Sequence, residues 1–97
     1  MLTKNHRIPD DISSTFESIT NYYERLVFRR LSAFSDELTD EELADAACIA
    51  LNHLPTWYIR HSVDAQYFLD DEKVAEMNQK ANRVVEDSVT QVKQLSK

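Results

Sequence analysis

Apolar residues recur along the chain at steps of three and four in three separate stretches, and each stretch reads as an amphipathic helix. The first runs from Ile12 to Phe34 through Phe16, Ile19, Tyr23, Leu26 and Leu31. Tyr22, Val27 and Phe28 widen its apolar side beyond a single seam, which predicts a second contact surface. Ser35-Asp36-Glu37-Leu38 interrupts the pattern. Thr39-Asp40-Glu41-Glu42 then has the form of a capping box, in which Thr39 accepts from the third helical amide and Glu42 reaches back. The second helix carries Leu43, Ala46, Ala47, Ala50, Leu51 and Leu54 and stops at Pro55. The third is capped by Asp70 or Asp71 and runs to about Leu95. It bears Val74, Met77, Ala81, Val84, Val85, Val89, Val92 and Leu95, close to a heptad seam.

Between the second and third helices, Trp57, Tyr58, Ile59, Val63, Tyr67 and Phe68 favour strand. Two readings stay open there: an extended piece over Tyr58–Asp64, or a short helix near Val63–Phe68. The pattern as a whole predicts a mainly α, small three-to-four-helix domain with an aromatic-rich connection after helix two. Residues 1–10 read as a flexible N-terminal tail ahead of a single domain over 11–97, because Pro9 biases Ile8 away from the helical region.

Composition narrows the chemistry. The chain has 97 residues and no glycine. Phosphate-cradling P-loops, dinucleotide fingerprints, EF-hand loops and nucleophile elbows all need glycine for positive φ or close backbone approach, so none is expected in its usual form. A length under 100 residues leaves a small core, which a second copy of the chain would supplement. Eleven basic and 17 acidic side chains give a formal net charge of −6, which argues against non-specific binding to nucleic acid. No apolar run is long enough to span a membrane, and the polar start of the chain lacks a signal-peptide core, so a cytoplasmic location is expected.

Candidate functional groups are few. The single cysteine, Cys48, lies among alanines and isoleucine in mid-helix and reads as a small buried hydrophobe. His53 and His61 lack further ligands at metal-binding spacing, so no metal site is assigned. No nucleophile–base pair supports an enzyme. The acidic run Asp36, Glu37, Asp40, Glu41, Glu42 and Asp45 reads partly as helix-start charge and otherwise as a solvated face or a dock for a basic partner. Arg25, Arg29 and Arg30 form a basic patch on the first helix, serving either surface ion pairs or an anion site.

The segment from Ala50 to Asp64 is the densest in recognition groups. It holds Asn52, His53, Trp57, Tyr58, Arg60 and His61, around Pro55. If it is extended, Tyr58, Arg60, Ser62 and Asp64 share one face. Such a set can stack a base and hold its edge or a phosphate. The aromatic residues can equally be core.

At this segment the chain resembles the late competence development protein ComFB family. Asp45, Ala47-Cys48-Ile49-Ala50-Leu51-Asn52-His53-Leu54-Pro55, Tyr58-Ile59-Arg60-His61 and Val63-Asp64 carry the resemblance. Asn21-Tyr22-Tyr23-Glu24 and Glu76-Met77 extend it, so that it spans about residues 15–95, nearly the whole chain. The resemblance implies a helical homodimer without catalytic activity, linked to competence, type IV pili or motility. It also implies a receptor for cyclic di-GMP or cyclic di-AMP, with no cofactor. A zinc-binding branch of the family carries a cysteine cluster; this chain has one cysteine, and no zinc site is carried over. On that reading the ligand-binding candidates are Asn52, Pro55, Tyr58, Arg60, His61 and Arg29. A two-fold dimer would offer matched groups to a two-fold-symmetric ligand. The partners implied are a second copy, the cyclic dinucleotide and a protein of the pilus, motility or competence machinery, with no membrane insertion. The alternative is a ligand-free helical homodimer that acts as a protein–protein interaction module.

Overall fold

The computed structural model describes residues 16–60 and 69–95. Strand β1 (Ile19–Asn21) leads into helix α1 (Tyr22–Leu31), which tightens into a 3₁₀ turn over Ser32–Phe34. Helix α2 (Asp40–Asn52), strand β2 (Tyr58–Arg60) and helix α3 (Asp71–Leu95) follow. The mainly helical class expected from periodicity is observed, with a small two-stranded antiparallel sheet added.

The first stretch departs from the expectation of one long helix. Its apolar spacing continues through Ile19, but the backbone is extended at residues 19–21 and the helix starts at Tyr22. Asn21 makes the break. Its φ and ψ are extended, and its side-chain oxygen accepts from the Tyr23 amide at 3.2 Å, capping α1. Ile19 and Phe16, assigned by spacing to the buried seam, are exposed instead. Tyr22 and Val27, assigned to a second surface, are buried in the core. Of that surface Phe28 remains, 52% exposed.

Helix α2 begins as its capping box requires: the Glu42 amide donates to Thr39 Oγ1 at 3.1 Å, and the Thr39 amide donates to Glu42 Oε1 at 2.9 Å. Its end is closed without glycine. His53, the C-cap, keeps a negative φ of −107°. Its ring Nδ1 lies 2.7 Å from the Ile49 carbonyl; a carbonyl only accepts, so Nδ1 carries the proton. Pro55 follows and forbids continuation. No described residue has positive φ, as a chain without glycine favours.

Cys48 is exposed, contrary to the buried position its aliphatic neighbours suggested. The buried residues of α2 are Ala46 and Ala50. Cys48 is two positions from each, about half a turn away on the outer face.

Asp70 Oδ1 accepts from the Lys73 amide at 2.7 Å and caps α3. The heptad-like seam of α3 is used inside the domain, where the helix packs on both α1 and α2. Met77, Ala81, Val85, Val89 and Val92 are buried, whereas Leu95 is exposed. Ser88 joins the buried face because its hydroxyl donates to the Val84 carbonyl at 2.8 Å, satisfying its polar group within the helix. Val27, Met77 and Val85 are completely buried where the three helices meet, each contributing about 1.5–3 kcal/mol of apolar burial. Two ion pairs between α3 and the N-terminal half lie at the surface: Arg30–Glu86 at 2.8 Å and Lys93–Glu37 at 2.6 Å.

Candidate ligand groove on the two-stranded sheet

The sheet pairs Ile19 with Arg60, Thr20 with Ile59, and Asn21 with Tyr58. Side chains alternate across a strand, so Tyr58 and Arg60 point one way and Ile59 the other. Burial follows that alternation: Ile59 is in the core, while Tyr58, at 66% exposed, and Arg60 face outward. The extended reading of the connection is therefore observed over Tyr58–Arg60. The remainder of that segment, with its alternative short helix near Val63–Phe68, lies outside the described residues.

Tyr58 and Arg60 line a surface groove of about 410 Å³ together with Ile19, Trp57 and Ile59. Among the described residues the side chains that line it are apolar apart from the Tyr58 phenol and the Arg60 guanidinium. An exposed ring beside a guanidinium offers a flat stacking surface and a fork of donors for an anion or a base edge. Trp57 is held differently. Lys73 Nζ lies 5.4 Å from the centre of its ring and donates to Glu76 Oε1 at 3.2 Å. One face of the indole is thereby covered, which makes Trp57 a wall of the groove and leaves Tyr58 the open platform. Lys73 and Glu76 also act on Tyr23: burial raises the Tyr23 phenol pKa above its ordinary value, Lys73 lowers it and Glu76 raises it.

The strand that carries the site is fixed to the start of α1. The Trp57 amide donates to Asn21 Oδ1 at 2.9 Å, and the Trp57 carbonyl accepts from the Tyr22 amide at 2.6 Å.

The other expected site residues are dispersed. Asn52 is exposed at the last position of α2, and Pro55 is exposed in the connection that follows; neither lines the groove. Arg29 is exposed in the last turn of α1, where its carbonyl accepts from the Ser32 hydroxyl, and it also lies outside the groove. Its neighbours Arg25 and Arg30 are engaged with rings, Arg25 over Tyr22 at 5.6 Å and Arg30 over Phe34 at 5.5 Å. His61 lies outside the described residues. Ile19, Lys73 and Asn21 are contributions that the sequence reading did not assign. Asn21 had a legible signal, an asparagine three residues before Glu24, which is a helix-start pattern. Lys73 had none, because its role depends on the start of α3 meeting the Trp57 ring. Among the described residues no group of three or more His, Cys, Asp or Glu gathers as a metal site.

The order Asn21-Tyr22-Tyr23-Glu24, the capped α2 ending at Pro55, and the Tyr58-Ile59-Arg60 strand all fall inside residues 20–95. That span matches the family described as late competence development protein ComFB. The chain belongs to the ComFB family. Membership gives it a competence-related role. Comparison with curated proteins and with solved structures yields no match. No helix of this ComFB-family chain is, among the described residues, long and apolar enough to cross a membrane.

Proposed function

We propose that this ComFB-family protein is a non-enzymatic cytoplasmic receptor for a cyclic dinucleotide, cyclic di-GMP or cyclic di-AMP. It acts as a homodimer and passes the signal to a protein of the competence, type IV pilus or motility machinery. The observation that carries this reading is the pairing of an open tyrosine ring with an arginine on one strand face, above an apolar groove. Tyr58 stacks a base, and Arg60 holds a phosphate or the Hoogsteen edge of a guanine. The ligand has two bases and two phosphates, and two copies of the groove supply a ring and a guanidinium for each half. The test is calorimetric titration of both cyclic dinucleotides into the full chain, with Arg60→Ala and Tyr58→Ala alongside. Binding by the parent and weakened binding by both variants supports the reading.

A second reading has its own observation. Phe28 is half exposed beside a groove of about 270 Å³ formed with Leu31, Ser32, Leu43, Ala44 and Ala47. In that reading the protein is a ligand-free helical homodimer that serves as an interaction module. Phe28→Glu would then abolish partner capture, and neither dinucleotide would give heat.

A further inference from the structure

A strand of three residues paired with one other strand is not stable by itself in water. Its register is correspondingly easy to lose. A slip of one residue would turn Tyr58 and Arg60 inward and put Ile59 in solvent. Something outside the ladder must hold β2 in place.

Asn21 has the position and the chemistry to do so. It is 8% exposed and buried with a polar side chain. Its single Oδ1 accepts from two amides, that of Tyr23 at 3.2 Å and that of Trp57 at 2.9 Å. The first is an orphan donor of the opening turn of α1. The second belongs to the residue immediately before Tyr58. The Tyr22 amide holds the carbonyl of the same residue. Trp57 is therefore gripped at both its backbone groups by consecutive residues of the β1–α1 junction. A shift of β2 along β1 breaks both bonds together: the Trp57 amide and carbonyl lose these partners, and Asn21 Oδ1 keeps only the Tyr23 amide.

We infer that Asn21 is a positioning residue: by tying Trp57 to the start of α1 it sets the register of β2 and presents Tyr58 and Arg60 in the groove. This rests on the proposed function for its ligand, and on the geometry alone for its effect on register.

Two substitutions separate capping from positioning. Asn21→Ser supplies a hydroxyl oxygen that can cap α1, but that oxygen is one bond nearer the backbone and falls short of Trp57. Asn21→Asp keeps an oxygen at the same reach and adds a charge that the helix start favours. The direct readout is exchange of the Trp57 amide by NMR, with Val85 and Val89 as core references. In Asn21→Ser, Trp57 exchange rises about tenfold while the core references hold, and cyclic dinucleotide affinity falls about tenfold. Asn21→Asp restores both to within about threefold of the parent. Unchanged Trp57 exchange in Asn21→Ser overturns the inference, as does an Asn21→Asp protein that behaves like Asn21→Ser. Equal acceleration at Trp57 and in the core also overturns it, since Asn21 would then be a stabilising cap only. If the parent binds neither dinucleotide, the receptor reading fails separately, and the exchange comparison still decides the register claim.

Discussion

Tyr58 and Arg60 project from the same exposed face of strand β2, with Ile59 buried between them. The arrangement divides labour along three residues. Ile59 anchors the strand in the core, and its two neighbours are left exposed. Substituting either exposed residue should therefore affect binding far more than folding. Arg60→Ala and Tyr58→Ala are each expected to weaken cyclic dinucleotide binding by about tenfold or more, from the loss of a charge-assisted fork or a stacked ring. Melting temperature should stay near that of the parent, because surface changes away from structural features are worth only about ±0.5 kcal/mol. Calorimetry paired with thermal unfolding reads both.

The start of α2 is separable from the groove. Thr39→Ala removes the Thr39 Oγ1 that accepts from the Glu42 amide, and leaves the Thr39 amide to donate to Glu42 Oε1. The expected cost is about 1 kcal/mol, lowering the melting temperature by about 4–8 °C. Ligand affinity per folded molecule should not change. Differential scanning calorimetry and titration below the transition check the two halves of this expectation.

Met77 lies completely buried on the α3 seam. Met77→Ala should cost about 2–5 kcal/mol through lost burial and the cavity left behind. A domain of this size has about 5–15 kcal/mol in total, so urea unfolding should show a large fall in midpoint with an unchanged slope.

Tyr23 sets an alkaline limit. Burial raises its phenol pKa above the ordinary value, against the opposing pull of Lys73 and with the support of Glu76. A raised pKa means that the fold favours the neutral phenol. That contribution is fully present below the unfolded phenol's pKa, about 10, and is lost as pH rises through the folded value. The melting temperature should fall more steeply above about pH 10 in the parent than in Tyr23→Phe. Identical slopes would show that Tyr23 does not set the limit.

Local chemistry made much of the fold legible in the sequence. Thr39 and Glu42 announce the start of α2 within four residues, and Pro55 announces its stop. Asp70 and the repeat from Met77 to Val92 do the same for α3. The failures have physical causes. Ile19 continues a helical spacing, yet it is extended because its partner is Arg60, far along the chain. Spacing of three and four cannot see that pairing. Cys48 has aliphatic neighbours, but adjacency in sequence is not adjacency on a helix face. At the candidate site the residues Tyr58 and Arg60 were legible from density and alternation. Asn52, Pro55 and Arg29 were grouped with them by closeness in sequence or by charge, and none of the three lines the groove. The Lys73–Trp57 contact joins two elements whose meeting no local pattern encodes.

The central claim is that the groove of Tyr58 and Arg60 takes a cyclic dinucleotide. Its most direct test is isothermal titration of cyclic di-GMP and cyclic di-AMP into the full chain at low salt. Saturable heat at micromolar ligand with at least one of them, lost in the Tyr58→Ala, Arg60→Ala double variant, is the expected result. Absence of heat with both at high micromolar ligand, or binding that the double variant retains in full, would contradict it.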